Sequence, residues 1–142
     1  MKIGIAGDHA AYQLKEKLVS YLKEKKYEVE DFGTHSEESC DYPDVAHPLA
    51  KSIINGKNDL GIAICGSGNG INITVNKYAE IRSALCWKSE LATLARKHNN
   101  ANILALPARF IDYDTAIKCV EEFLTNDFEG GRHQRRVDKI KI

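Results

Sequence analysis

Leu60-Gly61-Ile62-Ala63-Ile64-Cys65-Gly66-Ser67-Gly68-Asn69-Gly70-Ile71 is the stretch on which the reading of this chain turns. An apolar run of strand length enters a glycine-rich turn, and Ile71, Ile73, Val75 and Tyr78 then follow as the opening of a helix. Such a turn points bare backbone N–H groups at whatever lies above it. Glycine allows close approach of the main chain, and a helix start adds partial positive charge, so the loop suits an anion or an oxygen gaining charge. Cys65 stands at the head of the turn, where a thiol close to a helix start can act as base or nucleophile near neutral pH. The same residues also fit a buried strand-end cysteine beside a packing turn.

Working outward, the same alternation of element types recurs. Lys2 to Ala6 reads as a first strand ending in Gly7-Asp8-His9, followed by a helix with Leu14, Leu18, Tyr21 and Leu22 on one face. Tyr27 to Phe32 alternates as a second strand, and a polar loop leads to a helix near Pro43 that carries Val45, Leu49 and Ile53. Pro48 implies that this helix either begins after Pro43 or bends at Pro48. Beyond the central loop, Ser83 to Trp87 reads as a buried fourth strand and Ser89-Glu90 as a helix start, with that helix stopping near His98-Asn99-Asn100. Ile103 to Leu106 is the fifth strand. Asp112 caps a helix with Ile117, Val120, Phe123 and Leu124 inside, and Gly130-Gly131 separates it from a basic tail over Arg132 to Lys139.

Strands alternating with helices predict a three-layer α/β/α, Rossmann-like fold with a five-stranded parallel sheet and a C-terminal basic helical tail. A strand order of 2-1-3-4-5 is expected. The crevice beyond the strand ends would then lie between strands one and three, with Asp8-His9 facing Cys65 to Gly70.

The 142 residues fit one domain, residues 1–142, with a real hydrophobic core. Twenty basic side chains balance twenty acidic ones, which argues against a nucleic-acid or membrane partner. No apolar run approaches the roughly 20 residues of a membrane span, and the start turns polar too soon for a signal peptide. A cytoplasmic protein is expected. The four cysteines are widely spaced, without a C-x-x-C pair or zinc-type cluster, so reduced thiols and no structural metal are expected. No G-x-x-x-x-G-K-[ST] is present, and the glycines after strand three lack dinucleotide-site spacing.

Gly7-Asp8-His9-Ala10, Gly33-Thr34-His35-Ser36, Asp41-Tyr42-Pro43-Asp44, the Cys65 loop, Asn76-Lys77, His98-Asn99-Asn100-Ala101-Asn102, Ala108-Arg109 and the tail Arg132 to Val137 together resemble ribose-5-phosphate isomerase type B, nearly end to end. The resemblance implies interconversion of ribose 5-phosphate and ribulose 5-phosphate, a step of the non-oxidative pentose phosphate pathway, without metal or organic cofactor. It implies Cys65 as the base that moves a proton between C2 and C1, with Ser67 and the backbone of Gly66, Gly68, Asn69 and Gly70 around the enediolate oxygen. Ser67 stands where threonine is common in the family, and Pro107 departs from the glycine usual before Ala-Arg. His98 would assist ring opening, with Asp8 and Tyr42 near the sugar hydroxyls, and His9, Arg109, Arg132 and Arg136 near the phosphate.

His98 precedes strand five and so belongs to the amino end of the sheet, away from Cys65. It is therefore expected, with Asn99, to serve a neighbouring subunit's site in a homodimer with shared active sites, or in a tetramer built from such pairs. Arg132 and Arg136 are four residues apart and share one face of a helical tail. His35, His47 and His133 read as surface or loop histidines, and Cys40, Cys86 and Cys119 as small packing groups. Two alternatives stand beside this reading: an isomerase for allose 6-phosphate or galactose 6-phosphate, and a non-catalytic phosphosugar-binding protein that would need no base.

Overall fold

The computed structural model describes residues 1–142. Five strands, β1 (Lys2–Gly7), β2 (Glu28–Asp31), β3 (Leu60–Cys65), β4 (Ser83–Leu85) and β5 (Ile103–Pro107), form one parallel sheet. Six helices connect or follow them: α1 (Tyr12–Glu24), α2 (Tyr42–Ile54), α3 (Asn69–Val75), α4 (Ser89–Asn99), α5 (Tyr113–Thr125) and α6 (Arg132–Asp138).

The strand sequences sort the two faces. In β1 and β3 large residues alternate with small ones, so Ile3, Ile5, Ile62 and Ile64 point to one side, where they pack with Leu18 and Leu22 of α1, Ala92 and Ala95 of α4 and Phe123 of α5. Gly4, Ala6, Gly61 and Ala63 are left for the other side, which α2 covers with Ala46, Leu49 and Ala50 and α3 with Ile71 and Val75. α2 lies very close as a result: a β-carbon on Gly4 would come 2.7 Å from Leu49 Cδ1, and one on Gly61 3.2 Å.

The expected strand order needs correction. The sheet runs β2-β1-β3-β5-β4, not 2-1-3-4-5. The physical reason lies in burial and length. β5 is apolar throughout and buried at every position, which a central strand requires, whereas β4 is three residues long and half-buried, as an edge strand can be. The fourth strand is accordingly shorter than its predicted span: Cys86 is buried just past its end and Trp87 stands out in solvent. The crevice is unaffected, because β1 and β3 remain neighbours.

Pro48 does not delay α2, which starts at Tyr42 and continues through it to Ile54. Pro43 takes the first turn, where its missing N–H costs nothing, and Pro48 lies on the exposed side, where the carbonyl it leaves without a donor can meet water. At the other end Asp112 caps α5 as its position predicts, accepting the Thr115 N–H at 2.7 Å. No helix is long and apolar enough to cross a membrane.

Candidate active site

The carboxyl ends of β1, β3 and β5 bring most of the candidate residues together. Asp8 follows β1; its N–H donates to the Ile64 carbonyl at 3.2 Å, and its buried carboxylate accepts the N–H groups of Ala10 at 3.1 Å and Ala11 at 3.3 Å. That pairing fixes the tight turn carrying His9. The His9 ring is held by its Nδ1 against the backbone of Cys40, whose N–H lies 3.1 Å away. One strand over, Cys65 ends β3 with only 5% of its surface exposed, on the side of the sheet that α2 and α3 cover.

The turn after Cys65 takes the shape its glycines allow. Gly68, at φ +77°, precedes α3, and Ser67 Oγ accepts the Asn69 N–H at 3.3 Å. Tyr42, from the start of α2, lies on Gly70. From β5, the Ala108 N–H donates to the Cys65 carbonyl at 2.9 Å and the Arg109 N–H to the Gly66 carbonyl at 3.0 Å. Those two bonds bring the Arg109 side chain over Gly66, where a β-carbon would lie 3.2 Å from Nη1. Pro107 therefore does not prevent Arg109 from reaching the loop: it pairs with Cys65 in the sheet, at the strand's last position. A cavity of about 420 Å³ opens beside this cluster, lined by His9, Leu14, Lys17, Ala108, Arg109 and Tyr113.

His98, Asn99, Arg132 and Arg136 lie elsewhere in the same chain. α4 ends at Asn99, just before β5 begins at Ile103, so these residues belong to the amino end of the sheet. The His98 ring stacks on His133 of α6 at 4.0 Å, which places the basic tail there too. Cys65 pairs with Pro107 and Gly61 with Ile103, so the two ends of this strand pair are separated by about 13 Å at the usual rise per residue. Asn99 is exposed, and its carbonyl accepts Arg82 Nε at 3.1 Å; Arg132 and Arg136 are exposed on α6.

The chain is similar to known proteins over nearly its whole length. The family description Ribose/Galactose Isomerase matches residues 3–140. The chain is 42% identical over 139 residues to ribose-5-phosphate isomerase B of Escherichia coli, covering 98% of this chain and 93% of that one. The chain belongs to the ribose/galactose isomerase family. Among solved members of that family, ribose 5-phosphate isomerase of Thermotoga maritima is 54% identical with a TM-score of 0.97, covering 99% of this chain and 97% of that one. The Mycoplasma genitalium ribose-5-phosphate isomerase B structure, which holds ribulose-5-phosphate, is 44% identical with a TM-score of 0.93 over 98% of this chain and 93% of its own.

Two histidines expected at the surface sit otherwise within this isomerase fold. His133 is buried against His98, and its packing, together with the nearby His98 and Arg132, holds its imidazole below the ordinary histidine value. His47 is half-buried, with Nδ1 2.7 Å from the Tyr78 hydroxyl. His35 is exposed in a loop, as expected. Sequence reasoning passed over Glu129, which lies 3.4 Å from His98 Nε2, and Lys17 and Tyr113 of the cavity. No motif marks them: each is brought in by the packing of a helix or connection.

Proposed function

We propose that this chain interconverts ribose 5-phosphate and ribulose 5-phosphate through an enediolate. The observation that carries this reading is the placing of the Cys65 thiol at the mouth of β3, between the Asp8 carboxylate turn and the N–H-rich Gly66 to Gly70 loop. The solved relative that holds ribulose-5-phosphate, 44% identical to this chain, supports the choice of a five-carbon substrate.

In the proposed reaction the opened aldose lies with C1 and C2 over Cys65. The sulfur, as thiolate, takes the proton from C2; the electron pair of that C–H bond forms the C1–C2 double bond, and the carbonyl oxygen on C1 becomes negative. N–H groups of the Gly66 to Gly70 turn, with the Ser67 hydroxyl, stabilise that oxygen, a contribution of about 3–4 kcal/mol per donor in comparable sites. The C2 hydroxyl passes its proton to the negative oxygen on C1, the electron pair of the double bond takes the proton back from the Cys65 sulfur at C1, and the ketose results. Asp8 and Tyr42 hold sugar hydroxyls. His9 and Arg109 approach the phosphate, Arg109 as a bidentate donor.

Ring opening and the rest of the phosphate grip come, in this reading, from His98, Asn99, Arg132 and Arg136 of a second copy. All four belong to the amino end of the sheet, so a homodimer in which each active site is shared is the smallest active unit. Mixing Cys65→Ala subunits with His98→Ala subunits should restore activity after exchange; none would recover if each chain completed its own site. A coupled assay on ribose 5-phosphate, allose 6-phosphate and galactose 6-phosphate, with and without chelator, tests the substrate. Preference for a six-carbon sugar, or loss of activity on chelation, overturns it.

A further inference from the structure

His98, Glu129 and His133 come from three pieces of the chain and meet at one point. His98 lies in the last turn of α4, His133 sits in the first turn of α6, and Glu129 lies in the connection leading to it. Their donor atoms, one nitrogen from each imidazole and one carboxylate oxygen, all lie within 4.8 Å of one another. The meeting is built into the backbone: the Glu129 N–H donates to the Lys97 carbonyl at 3.0 Å, which fastens the connection to the last turn of α4. The two rings stack 4.0 Å apart with 10° between their planes. Side chains of His98 and Glu129 are 37% and 49% exposed, which leaves the cluster open to solvent on one side.

We propose that His98, Glu129 and His133 form a binding site for a divalent transition ion of the Zn²⁺ class. Two imidazoles and one carboxylate are the three-ligand set that leaves a fourth position open on zinc. Bonds of about 2.0–2.2 Å in tetrahedral array put ligand atoms about 3.3–3.5 Å apart, and His98 Nε2 already stands 3.4 Å from Glu129 Oε1. Stacked rings hold their lone pairs in parallel planes, so one must turn about χ2 to converge on the ion. That torsion is broad, and His98, half-buried at a helix end, is the ring free to turn. Arg132 and Arg136 are close enough to act on His133 and oppose any cation. Coordinate bonds must therefore hold the ion, which favours an imidazole-binding metal over Mg²⁺ or Ca²⁺, whose shells are oxygen.

The consequence rests on the proposed reaction. An ion on His98 takes up the lone pair that ring opening needs at the neighbour's site, so it inhibits the isomerase rather than assisting it. The test titrates Zn²⁺ into the full chain by calorimetry, with Co²⁺ absorption reporting coordination, and repeats both on Cys65→Ala, Glu129→Gln and His133→Asn. A single saturable ion is expected in the unaltered chain and in Cys65→Ala. Loss of an outer partner alone weakens metal binding by about 10–100-fold, so losing a ligand in Glu129→Gln should weaken it about 100-fold or more. Glu129 is exposed, and a melting curve confirms that this variant folds. Binding that is absent from the unaltered chain, unchanged in Glu129→Gln and His133→Asn, or lost with Cys65, overturns the site and leaves the reaction untouched. Isomerase rates of the unaltered chain and of Glu129→Gln across the same Zn²⁺ range read the inhibition; binding without it keeps the site and removes His98 from the reaction.

Discussion

The ring of Tyr42 lies on the backbone of Gly70: a β-carbon built on that glycine would come 2.4 Å from Tyr42 Cζ and 2.8 Å from its hydroxyl. The first residue of α2 thus roofs the first turn of α3, and only a missing side chain makes room for it. The obstructing atoms are the far end of a ring that is 36% exposed, so Gly70→Ala can be relieved by swinging Tyr42 outward. Melting temperature should change little. KM for ribose 5-phosphate should rise by about tenfold, the equivalent of one lost hydrogen bond near 1.4 kcal/mol, and steady-state kinetics beside a thermal melt separates the two effects.

Gly68→Ala should behave in the opposite way. A β-carbon there meets Leu85 Cδ1 at 2.4 Å and the Leu106 backbone at 3.2 Å, and the residue sits at φ +77°. Neither the strand nor the dihedral can yield cheaply. A loss of about 2–4 kcal/mol in folding stability is expected from backbone strain and overpacking together, read as a lowered urea midpoint at unchanged slope.

These two glycines also show where sequence stops being informative. Strand identity was legible because β1 and β3 write alternation plainly, Ile against Gly or Ala, and the helices write their inner faces at helical spacing. Strand order was not, since Ser83 to Trp87 and Ile103 to Leu106 both read as short buried strands and neither string says which lies at the edge. What separates them is that β5 is covered on both faces by helices from distant parts of the chain. The motifs placed Asp8, His9, Cys65 and Arg109 on the correct strand ends. The stacking of His98 on His133, and the presence of Glu129 beside them, depends on how α6 folds back on α4, a long-range packing that no local pattern encodes.

Thiol labelling should sort Cys40, Cys86 and Cys119 by burial, and Cys65 by its part in the proposed reaction. Desolvation pushes the Cys86 thiol up to about 12 and the Cys119 thiol up to about 11, so neither offers appreciable thiolate at neutral pH. Both should resist iodoacetamide in the folded protein and react once it is unfolded. Cys40 is partly exposed and should label in the native state. Alkylation of Cys65 should track loss of isomerase activity and be slowed by sugar phosphate. Peptide mapping by mass spectrometry reads all four sites, and activity surviving full Cys65 labelling would remove that sulfur from the reaction. In the same vein Cys65→Ala should lower kcat by about 10²–10⁴.

Lys15 is wholly buried, with Nζ 2.7 Å from Asp31 Oδ2 and 2.7 Å from Glu16 Oε1. Asp31 also accepts the Gly33 N–H at 2.9 Å, and the Gly33 carbonyl accepts the Gly7 N–H at 2.8 Å, so the ion pair braces the residue before Asp8. Lys15→Met keeps the length of the stem and removes the charge, leaving Asp31 without its ammonium. Because Asp31 is 23% exposed, water can take over part of the role. The expected cost is about 1–3 kcal/mol, below the about 3–5 kcal/mol of a fully enclosed pair. Chemical denaturation measures it, and KM should rise with it because the Asp8 turn loosens.

Glu30 gives the fold an acid-sensitive tie. A hydrogen bond from Lys57 at 2.7 Å, reinforced by one from Asn58 at 3.0 Å, holds its carboxyl below the ordinary 4.5. The unfolded chain, titrating near 4.5, binds more protons than the folded chain between that value and the lower folded one, so stability rises with pH across that window. The contribution is complete above 4.5 and disappears as pH falls through the folded value. Glu30→Gln removes the charge and leaves one acceptor oxygen for the two donors, as protonating the carboxyl does. It should therefore be less stable than the unaltered chain at about pH 7, and the gap should close in acid as pH falls through the folded value. Lys57 is 66% exposed, so the difference belongs to the range of about 0–1 kcal/mol for surface pairs and shrinks with added salt. Urea midpoints for both proteins at neutral pH and in acid measure it; a gap that persists in acid would assign the stability to the shape of Glu30 rather than its charge.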